Sequence, residues 1–301
     1  MPARIVEILL YPLVVAGSLL LALQLLGAGW PPAGVVVAIS VASALLCAVC
    51  ERAFPARAAW RLDPGEARAD LLHAALSNPL PTALFRVLVL PLLVVASDAI
   101  TARVGLGLWP LGWPVLAQFA LALLVAEARS YAIHRFLHES RLWPLHAVHH
   151  CSPRMYFLLA VRKHPLQAFL SYGGRLSALW LLGVPADVLG VLLAVTAAHS
   201  FVQHANVRMR TGPLGWILAT PELHRLHHSN RAGELDANYG DVLILWDAVL
   251  GTRRTPDAGG VGSVGLPGLE VPQTWASHLG LPFRWTRLAN AGATERPPRD
   301  P

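Results

Sequence analysis

The stretch His134-Arg-Phe-Leu-His138, followed closely by His146-Ala-Val-His149-His150, decides what kind of fold this chain must adopt. A third box, His224-Arg-Leu-His227-His228, repeats the spacing further along. On an α-helix, residues at positions i, i+3 and i+4 lie on one face. Each box therefore presents two or three imidazoles to one side of a helix. The spacing predicts a helical fold in which these faces meet.

The number of imidazoles indicates more than one metal ion. Eleven of the 13 histidines lie between residues 134 and 228. Imidazole binds iron, zinc, copper and nickel. A structural zinc site closes with four ligands, and a catalytic zinc site uses three ligands and a water. The boxes exceed both counts, so two metal ions fit better. No Glu lies between the paired histidines, which excludes the HExxH arrangement of zinc proteases.

The composition is that of an integral membrane protein. Of the 301 residues, 54% are hydrophobic and 14% are charged, whereas soluble domains carry about 25% charged residues. The first apolar run is too long for a signal peptide and is interpreted as an uncleaved span. The last two runs have only about 14 residues each and predict a re-entrant or tilted hairpin. The predicted apolar segments are 5–27, 34–50, 80–97, 111–130, 168–182 and 186–200.

The distribution of positive charge predicts the orientation of the chain. With the N-terminus in the cytoplasm, 21 of 24 Lys and Arg residues lie at cytoplasmic positions or on their border. This asymmetry follows the positive-inside rule. The basic residues form no single stripe, so nucleic acid is not an expected partner. The predicted fold is all-α, an integral membrane bundle with a cytoplasmic histidine-rich metal-binding cap. Its Ala-, Leu-, Arg- and Gly-rich composition is compatible with a GC-rich bacterial source, and the expected location is a bacterial inner membrane.

The chain is predicted to have three parts. Residues 1–110 form N-terminal transmembrane helices, residues 111–255 form the catalytic region with the boxes, and residues 256–301 form a Gly- and Pro-rich tail. The tail contains a short segment, Trp275–Trp285, that is expected to dock on the rest. Cys47 and Cys50 lie in an apolar run and are interpreted as small buried side chains rather than as a redox pair.

The order of several motifs resembles the sterol desaturase/fatty acid hydroxylase superfamily. These motifs are HRxxH, HxxHH, the His204 that precedes Ala-Asn-Val, and HRLHHS, followed by Asp236-Ala-Asn-Tyr-Gly240 and Leu245-Trp-Asp-Ala-Val-Leu-Gly-Thr252. The match covers about residues 125–252. The resemblance implies a membrane di-iron oxygenase that uses dioxygen and two electrons to hydroxylate or desaturate a lipid. The same imidazoles can also bind zinc, so zinc is a second metal that the purified protein could contain.

The resemblance also implies a set of metal ligands. A tenth candidate, His199, lies five residues before His204 and about 140° around an ideal helix from it, so its role stays open. Bound imidazoles usually donate their second N–H to a carboxylate or a carbonyl. The candidates for such orienting roles are His164, Asp236, Asn238 and Asp247. The implied ligands are His134, His138, His146, His149, His150, His204, His224, His227 and His228.

The chain is expected to need two partners. A lipid substrate would enter sideways from the bilayer. No dinucleotide-binding G-x-G-x-x-G follows a strand, so electrons are expected from a ferredoxin or a cytochrome with its reductase. Two alternatives remain open. One is a membrane enzyme that uses zinc without redox chemistry. The other is a metal transporter or sensor, which is disfavoured because transporters place such residues near the bilayer midplane.

Overall fold

The computed structural model describes residues 2–105, 107–231, 233–257 and 260–291. Over these residues the protein is helical, with isolated β-bridges but no strand, which confirms the all-α prediction. The last ten residues of the predicted tail, 292–301, lie outside the described residues. The α-helices are α1 (Pro2–Gly27), α2 (Pro32–Ala53), α3 (Pro64–Leu72), α4 (Pro79–Leu88), α5 (Leu90–Val104), α6 (Val115–Glu139), α7 (Trp143–His150), α8 (Pro165–Leu181), α9 (Ala186–His204), α10 (Pro221–His227), α11 (Leu245–Val249) and α12 (Trp275–Ala291).

Within the described residues, four helices, α1, α2, α6 and α9, are long and apolar enough to cross a membrane. The first two match the predicted spans closely. Helix α6 continues beyond the predicted end at residue 130 to Glu139, so it carries the first histidine box on its last two turns. Helix α9 reaches His204 and has 19 residues, which is longer than the short arm expected from the sequence.

The predicted span at 80–97 is not one straight helix. The segments Pro64–Leu88 and Leu90–Val104 are bent by 42° relative to each other, with the break at Val89. Pro91 lies just inside the second segment. Proline has no backbone N–H, and its ring clashes with the carbonyl four residues earlier, so a helix bends or restarts there. The predicted segment is therefore a bent pair of helices, either a broken span or a re-entrant loop.

Helix α9 lies at the centre of the apolar core, against α1, α2 and α6. Gly190 allows the close approach at one end, because a Cβ atom there would lie 2.8 Å from the Cβ atom of Pro32. At the other end the backbone N–H of Arg210 donates to the carbonyl of Glu7 at 2.8 Å. Pro55 forms a bridge with Val207. The start of α1 and the ends of α2 and α9 therefore share one end of the bundle.

A buried ionic network fixes the segment between α7 and α8 at that end. The guanidinium group of Arg162 is fully buried and donates to Asp70 at 2.6 Å and to Glu66 at 3.3 Å, both on α3. The hydroxyl of Tyr156 donates to Asp70 at 2.5 Å. Buried charges are tolerated when they are paired and hydrogen-bonded in this way. The network positions the backbone of Arg162 beside the histidine boxes.

The expected docked segment in the tail is helix α12, which packs against α7. Nδ1 of His278 lies 3.0 Å from Nε2 of His73, and the two rings stack with a centroid distance of 5.3 Å. Trp275 donates its indole N–H to the hydroxyl of Ser77 at 3.0 Å. His73 and His278, the two histidines outside the boxes that the sequence analysis did not assign to metal, thus hold the tail on the bundle.

Candidate metal centre

Nine buried or half-buried histidines converge into two neighbouring groups, and within each group one ring nitrogen per residue lies within 4.8 Å of the others. The rings of His150 and His228, one from each group, stack with a centroid distance of 4.3 Å, so the groups adjoin. Group one has five members, and group two has four. Group one is His134, His138, His146, His150 and His227, and group two is His149, His204, His224 and His228.

The two HxxHH boxes are divided between the groups in opposite senses. On α7, the first and last histidines, His146 and His150, enter group one, and His149 enters group two. In the box of α10, the first and last histidines enter group two, and His227 enters group one. Residues i and i+4 lie almost above one another along a helix. Residue i+3 is rotated around the helix axis in the opposite direction, so its side chain points to a different side. Each short helix therefore contributes to both groups.

Backbone carbonyls fix the orientation of several rings. Nδ1 of His134 donates to the carbonyl of Tyr239 at 2.7 Å, and Nδ1 of His227 donates to that of Ala237 at 2.7 Å. In group two, Nδ1 of His149 donates to the carbonyl of Arg162 at 3.2 Å, and Nδ1 of His204 to that of Ser200 at 2.7 Å. A carbonyl oxygen only accepts, so the proton lies on Nδ1 in each neutral ring. Nε2 then carries the lone pair.

These lone pairs face one another. Nε2 of His149 and Nε2 of His204, whose protons are both held on Nδ1, are 3.2 Å apart. Nε2 of His227 is buried and has no hydrogen-bond partner among the described residues. Two fixed lone pairs at such a distance repel each other unless a cation lies between them. The arrangement therefore fits metal ions, and imidazole is a ligand that iron accepts.

Burial keeps the imidazoles in the neutral form that metals require. Burial lowers the pKa of His149 well below 6.5, and the neighbouring His228 and His204 lower it further. Burial acts on the pKa of His227 in the same direction, followed by the charge of His134. The protein thus favours the neutral form of these rings, because a charged imidazole would lose its hydration without gaining a counterion.

His199, the tenth candidate from the sequence, lies outside both groups. Its Nε2 is 2.8 Å from the hydroxyl of Tyr11 on α1, and the two rings meet edge to face. The five-residue separation from His204 on a regular α9 turns the two side chains in different directions. His199 therefore links α9 to α1 within the core.

Three of the four predicted orienting residues lie in the loop that follows α10 or form hydrogen bonds with its backbone. Asp236 accepts a hydrogen bond from Nδ1 of His138 at 3.2 Å. Asn238 has a positive φ of 56° and donates to the carbonyls of Leu223 and Arg254, so it fastens the loop without contacting a ligand. Asp247 accepts from the backbone N–H of Tyr239. The loop carbonyls in turn receive the ring protons of the histidines.

His164 has the plainer role that its position before proline indicates. It is the N-cap residue of α8, and its Nδ1 accepts a hydrogen bond from the backbone N–H of Leu166 at 3.2 Å. An N-cap side chain satisfies a helix N–H group that has no carbonyl partner. His164 lies outside both histidine groups.

The structure adds two residues that the sequence analysis missed. The side-chain amide of Gln167, in the first turn of α8, lies 2.7 Å from Nδ1 of His146. The carboxylate of Glu127, buried in α6, accepts hydrogen bonds from the backbone N–H groups of Val242 at 2.8 Å and Leu243 at 3.0 Å. A carboxylate inside an apolar run was the available signal for Glu127, because an unpaired charge there is costly. No comparable signal marked Gln167.

A cavity adjoins both histidine groups. His134, His146, His149, His204 and His224 form part of its wall, together with Lys163 and Gln167. An apolar cleft lined by Phe85, Phe169 and Gly173 lies between α4, α6 and α8. Ile133 and Leu137 line both the cavity and the cleft. The metal-facing cavity and the apolar cleft therefore adjoin at these two side chains.

The fold and the site define a helical, histidine-rich protein with several membrane-length helices and two adjoining groups of imidazoles. Residues 119–252 match the family model described as fatty acid hydroxylase. The chain is 33% identical over 249 residues to the ornithine lipid hydroxylase of Rhizobium tropici, a match that covers 81% of this chain and 74% of that protein. The chain belongs to the fatty acid hydroxylase family, within the sterol desaturase/fatty acid hydroxylase superfamily.

Other relatives match over a smaller part of their length. The chain is 34% identical over 184 residues to the alkylglycerol monooxygenase of Danio rerio, across 59% of this chain and 40% of that protein. It is 25% identical over 146 residues to methylsterol monooxygenase 1 of Gallus gallus, across 48% of each chain. No solved structure matches the chain significantly. The family and these relatives support a membrane oxidoreductase of the lipid hydroxylase and monooxygenase kind.

Proposed function

We propose that this protein is a membrane di-iron oxygenase that hydroxylates a membrane lipid with dioxygen and two external electrons. The observation that carries the proposal is the division of nine imidazoles into groups of five and four. Each group has enough nitrogen ligands for one metal ion, and each contains ring nitrogens whose lone pairs face inward.

The sizes of the groups favour iron over zinc. Protein-bound zinc is usually four-coordinate, and a catalytic zinc site has three protein ligands. Group one offers five imidazoles, which exceeds both numbers. Iron accepts imidazole and is a metal of oxygen chemistry. Group two alone would also suit zinc, so a zinc enzyme without redox chemistry is the alternative that a metal analysis must exclude.

The chemistry of the reaction also requires a redox metal. Acid–base side chains do not break an unactivated C–H bond, whereas iron with dioxygen supplies the necessary oxidising power. The protein's own residues hold and orient the ligands. The carbonyls of Tyr239 and Ala237 fix the rings of His134 and His227. Gln167 contacts His146, and Asp236 contacts His138. Such contacts tune affinity as well as geometry.

Hydroxylation rather than desaturation is the proposed outcome. The relatives are called hydroxylases or monooxygenases of ornithine lipid, alkylglycerol and methylsterol. We take ornithine lipids and alkylglycerols as the first lipids to test, because those two relatives are at least 33% identical to this chain. The apolar cleft beside the cavity offers room for a lipid chain.

The electrons are proposed to come from a separate carrier, either a ferredoxin or a cytochrome with its reductase. A basic chain, with a formal net charge of +6, suits an acidic carrier. Turnover by the purified protein with NADPH alone would contradict this part of the proposal. Turnover that requires both carrier and reductase would support it.

The test begins with metal content. Wild-type protein is purified anaerobically in detergent from iron-fed cells and compared with the variants His227→Ala and His228→Ala, which remove one member of each group. His278→Ala, which alters a histidine outside the groups, is the matched control. We expect about two irons per chain in the wild type and the control, and less in each group variant. Two zinc ions and no iron in the wild type would contradict the proposal. Lipid hydroxylation with dioxygen and a reduced carrier is measured next.

A further inference from the structure

Lys163 is the only lysine among the 301 residues, and its side chain lies in the wall of the cavity beside the histidines. It follows the buried Arg162 and precedes the first residue of α8 by two positions. It shares this wall with His146 of group one and His149 of group two. The ammonium group therefore lies close to where the metals would be held.

Among the residues that the structure describes, Lys163 has no charged partner. Its ammonium group forms no ion pair and no side-chain hydrogen bond there. The other strong cation of the cavity, Arg175, is paired: it contacts the carboxylate of Asp241 and donates to the hydroxyl of Ser130 at 3.0 Å. Asp241 is thereby engaged by Arg175 and does not serve Lys163.

The half-buried charge of Lys163 carries an energetic cost. A charged group removed from water is costly unless it is paired. Burial lowers the pKa of Lys163 to about 8, and the charge of Arg175 acts in the same direction. The histidine groups supply neutral ligands and no carboxylate. An anion that enters the cavity would therefore be attracted to the ammonium group of Lys163. It would also offset the positive charge of the cavity.

We propose that Lys163 binds the anionic group of the lipid substrate, a carboxylate or a phosphate, at the wall of the metal-facing cavity. This inference rests on the proposed function and deepens it, because it names the substrate class. The lipid's apolar chain lies in the cleft between α4, α6 and α8, which adjoins the cavity at Ile133 and Leu137. Oxidation is then directed to the part of the lipid near its charged group rather than to the chain end.

The unique lysine allows a direct test that needs no turnover. Purified metal-bound protein in neutral detergent, kept under argon, is treated with formaldehyde and cyanoborohydride, and dimethylation of Lys163 is measured by mass spectrometry. The probes are N-oleoylglycine, its uncharged amide N-oleoylglycinamide, and oleoyl lysophosphatidic acid. We expect both anions to slow modification of Lys163 by about tenfold, as a charge-assisted contact would. The amide should have no effect, and the chain's α-amino group serves as the internal reference.

The second measurement uses variants and equilibrium binding of the same probes. Lys163→Met removes the charge and keeps the length of the side chain. Lys163→Arg keeps the charge, and Arg61→Met removes an exposed positive charge elsewhere. Lys163→Met should bind the two anions about tenfold more weakly than the wild type and bind the amide equally well. Lys163→Arg should retain charge-dependent binding, and Arg61→Met should match the wild type. Metal content and melting temperature establish that each variant is folded.

Equal binding of the anions and the amide by the wild type, with unprotected Lys163, would overturn the inference. Equal anion binding by Lys163→Met and the wild type would also overturn it. The difference between N-oleoylglycine and lysophosphatidic acid decides whether the preferred group is a carboxylate or a phosphate. Because both measurements are made without turnover, anion binding that persists in a protein without hydroxylase activity would refute the proposed function alone.

Discussion

The carboxylate of Asp247 accepts a hydrogen bond from the backbone N–H of Tyr239 at 2.7 Å, and the carbonyl of Tyr239 accepts the ring proton of His134 at 2.7 Å. Asp247 also accepts from the N–H of Gly240 and from the hydroxyl of Thr252. A residue on α11 that contacts no ligand thus sets the position of the loop that orients a ligand ring. This chain of contacts gives the first prediction.

Replacing Asp247 with alanine should destabilise the protein and weaken metal binding. The change leaves two buried backbone N–H groups without an acceptor, and each costs about 1–3 kcal/mol. Loss of the support behind a ligand typically weakens metal affinity by about 10- to 100-fold. Thermal unfolding and chelator competition measure the two effects. Asp257→Ala, at an exposed position, should change neither. Unaltered metal affinity in Asp247→Ala would show that the loop does not depend on this carboxylate.

Gly240, in the same loop, should not tolerate a side chain. A Cβ atom at this position would lie 2.1 Å from the carbonyl oxygen of Leu243, which is backbone and cannot rotate away. Gly240→Ala should therefore displace the loop and lower the free energy of unfolding by about 1–3 kcal/mol, as other overpacking changes do. Gly112→Ala is the control, because no atom lies within 4 Å of the corresponding position. Equal melting temperatures for the two variants would contradict the close approach.

Metal stoichiometry should separate His199 from His204. His204 belongs to group two, whereas His199 contacts Tyr11. His204→Ala should lower the metal content, and His199→Ala should keep it while it destabilises the contact between α9 and α1. Elemental analysis and thermal unfolding of the two variants measure this. A His199→Ala protein that loses about half of its metal would make His199 a ligand.

The sequence predicted the nine converging histidines but not their division. Helical spacing predicted that His146, His149 and His150 lie on one broad face of a helix, and in the structure all three side chains point to the histidine groups. Whether two groups share such a face depends on where the partner helices approach. The assignment of His149 to group two and His150 to group one is therefore visible only in the tertiary structure. The helix break at Val89 had a signal in Pro91, whereas the contact of Gln167 with His146 had none.

Acidification should loosen helix α12. Burial lowers the pKa of His278 to about 2, and the nearby Arg162 and His73 act in the same direction. In the unfolded chain the pKa of a histidine is about 6.5. Between these two pKa values the folded protein binds fewer protons than the unfolded chain. The contribution of His278 to stability is therefore fully present above about pH 6.5 and decreases as the pH falls below that value. Amide exchange of Trp275–Ala291 at pH 8 and pH 5 measures this loss.

The variant His278→Gln provides the comparison for the effect of pH. Glutamine does not titrate and retains donor and acceptor groups for the contact with His73. Its α12 should exchange faster than wild type at pH 8 and should show a smaller increase between pH 8 and pH 5. The same pH dependence in both proteins would mean that another group controls the release of the helix.

The direction of the helices predicts that the histidine site and the C-terminal region lie on the cytoplasmic side, opposite the loop before α6. Helices α6 and α9 both end at the histidines, so both begin at the far end of the bundle. Arg210 contacts Glu7, which places the start of α1 at the histidine end. With basic residues retained inside, Gly112 should face outward and Thr255 inward.

Both positions are exposed, and Cys47, Cys50 and Cys151 are buried, so single added cysteines can be labelled selectively. In bacterial cells whose outer membrane has been removed, an impermeant maleimide should label Gly112→Cys before lysis and Thr255→Cys only after lysis. Labelling in the reverse order would invert the proposed orientation, and the site would then have to receive its electrons from the outer side of the membrane.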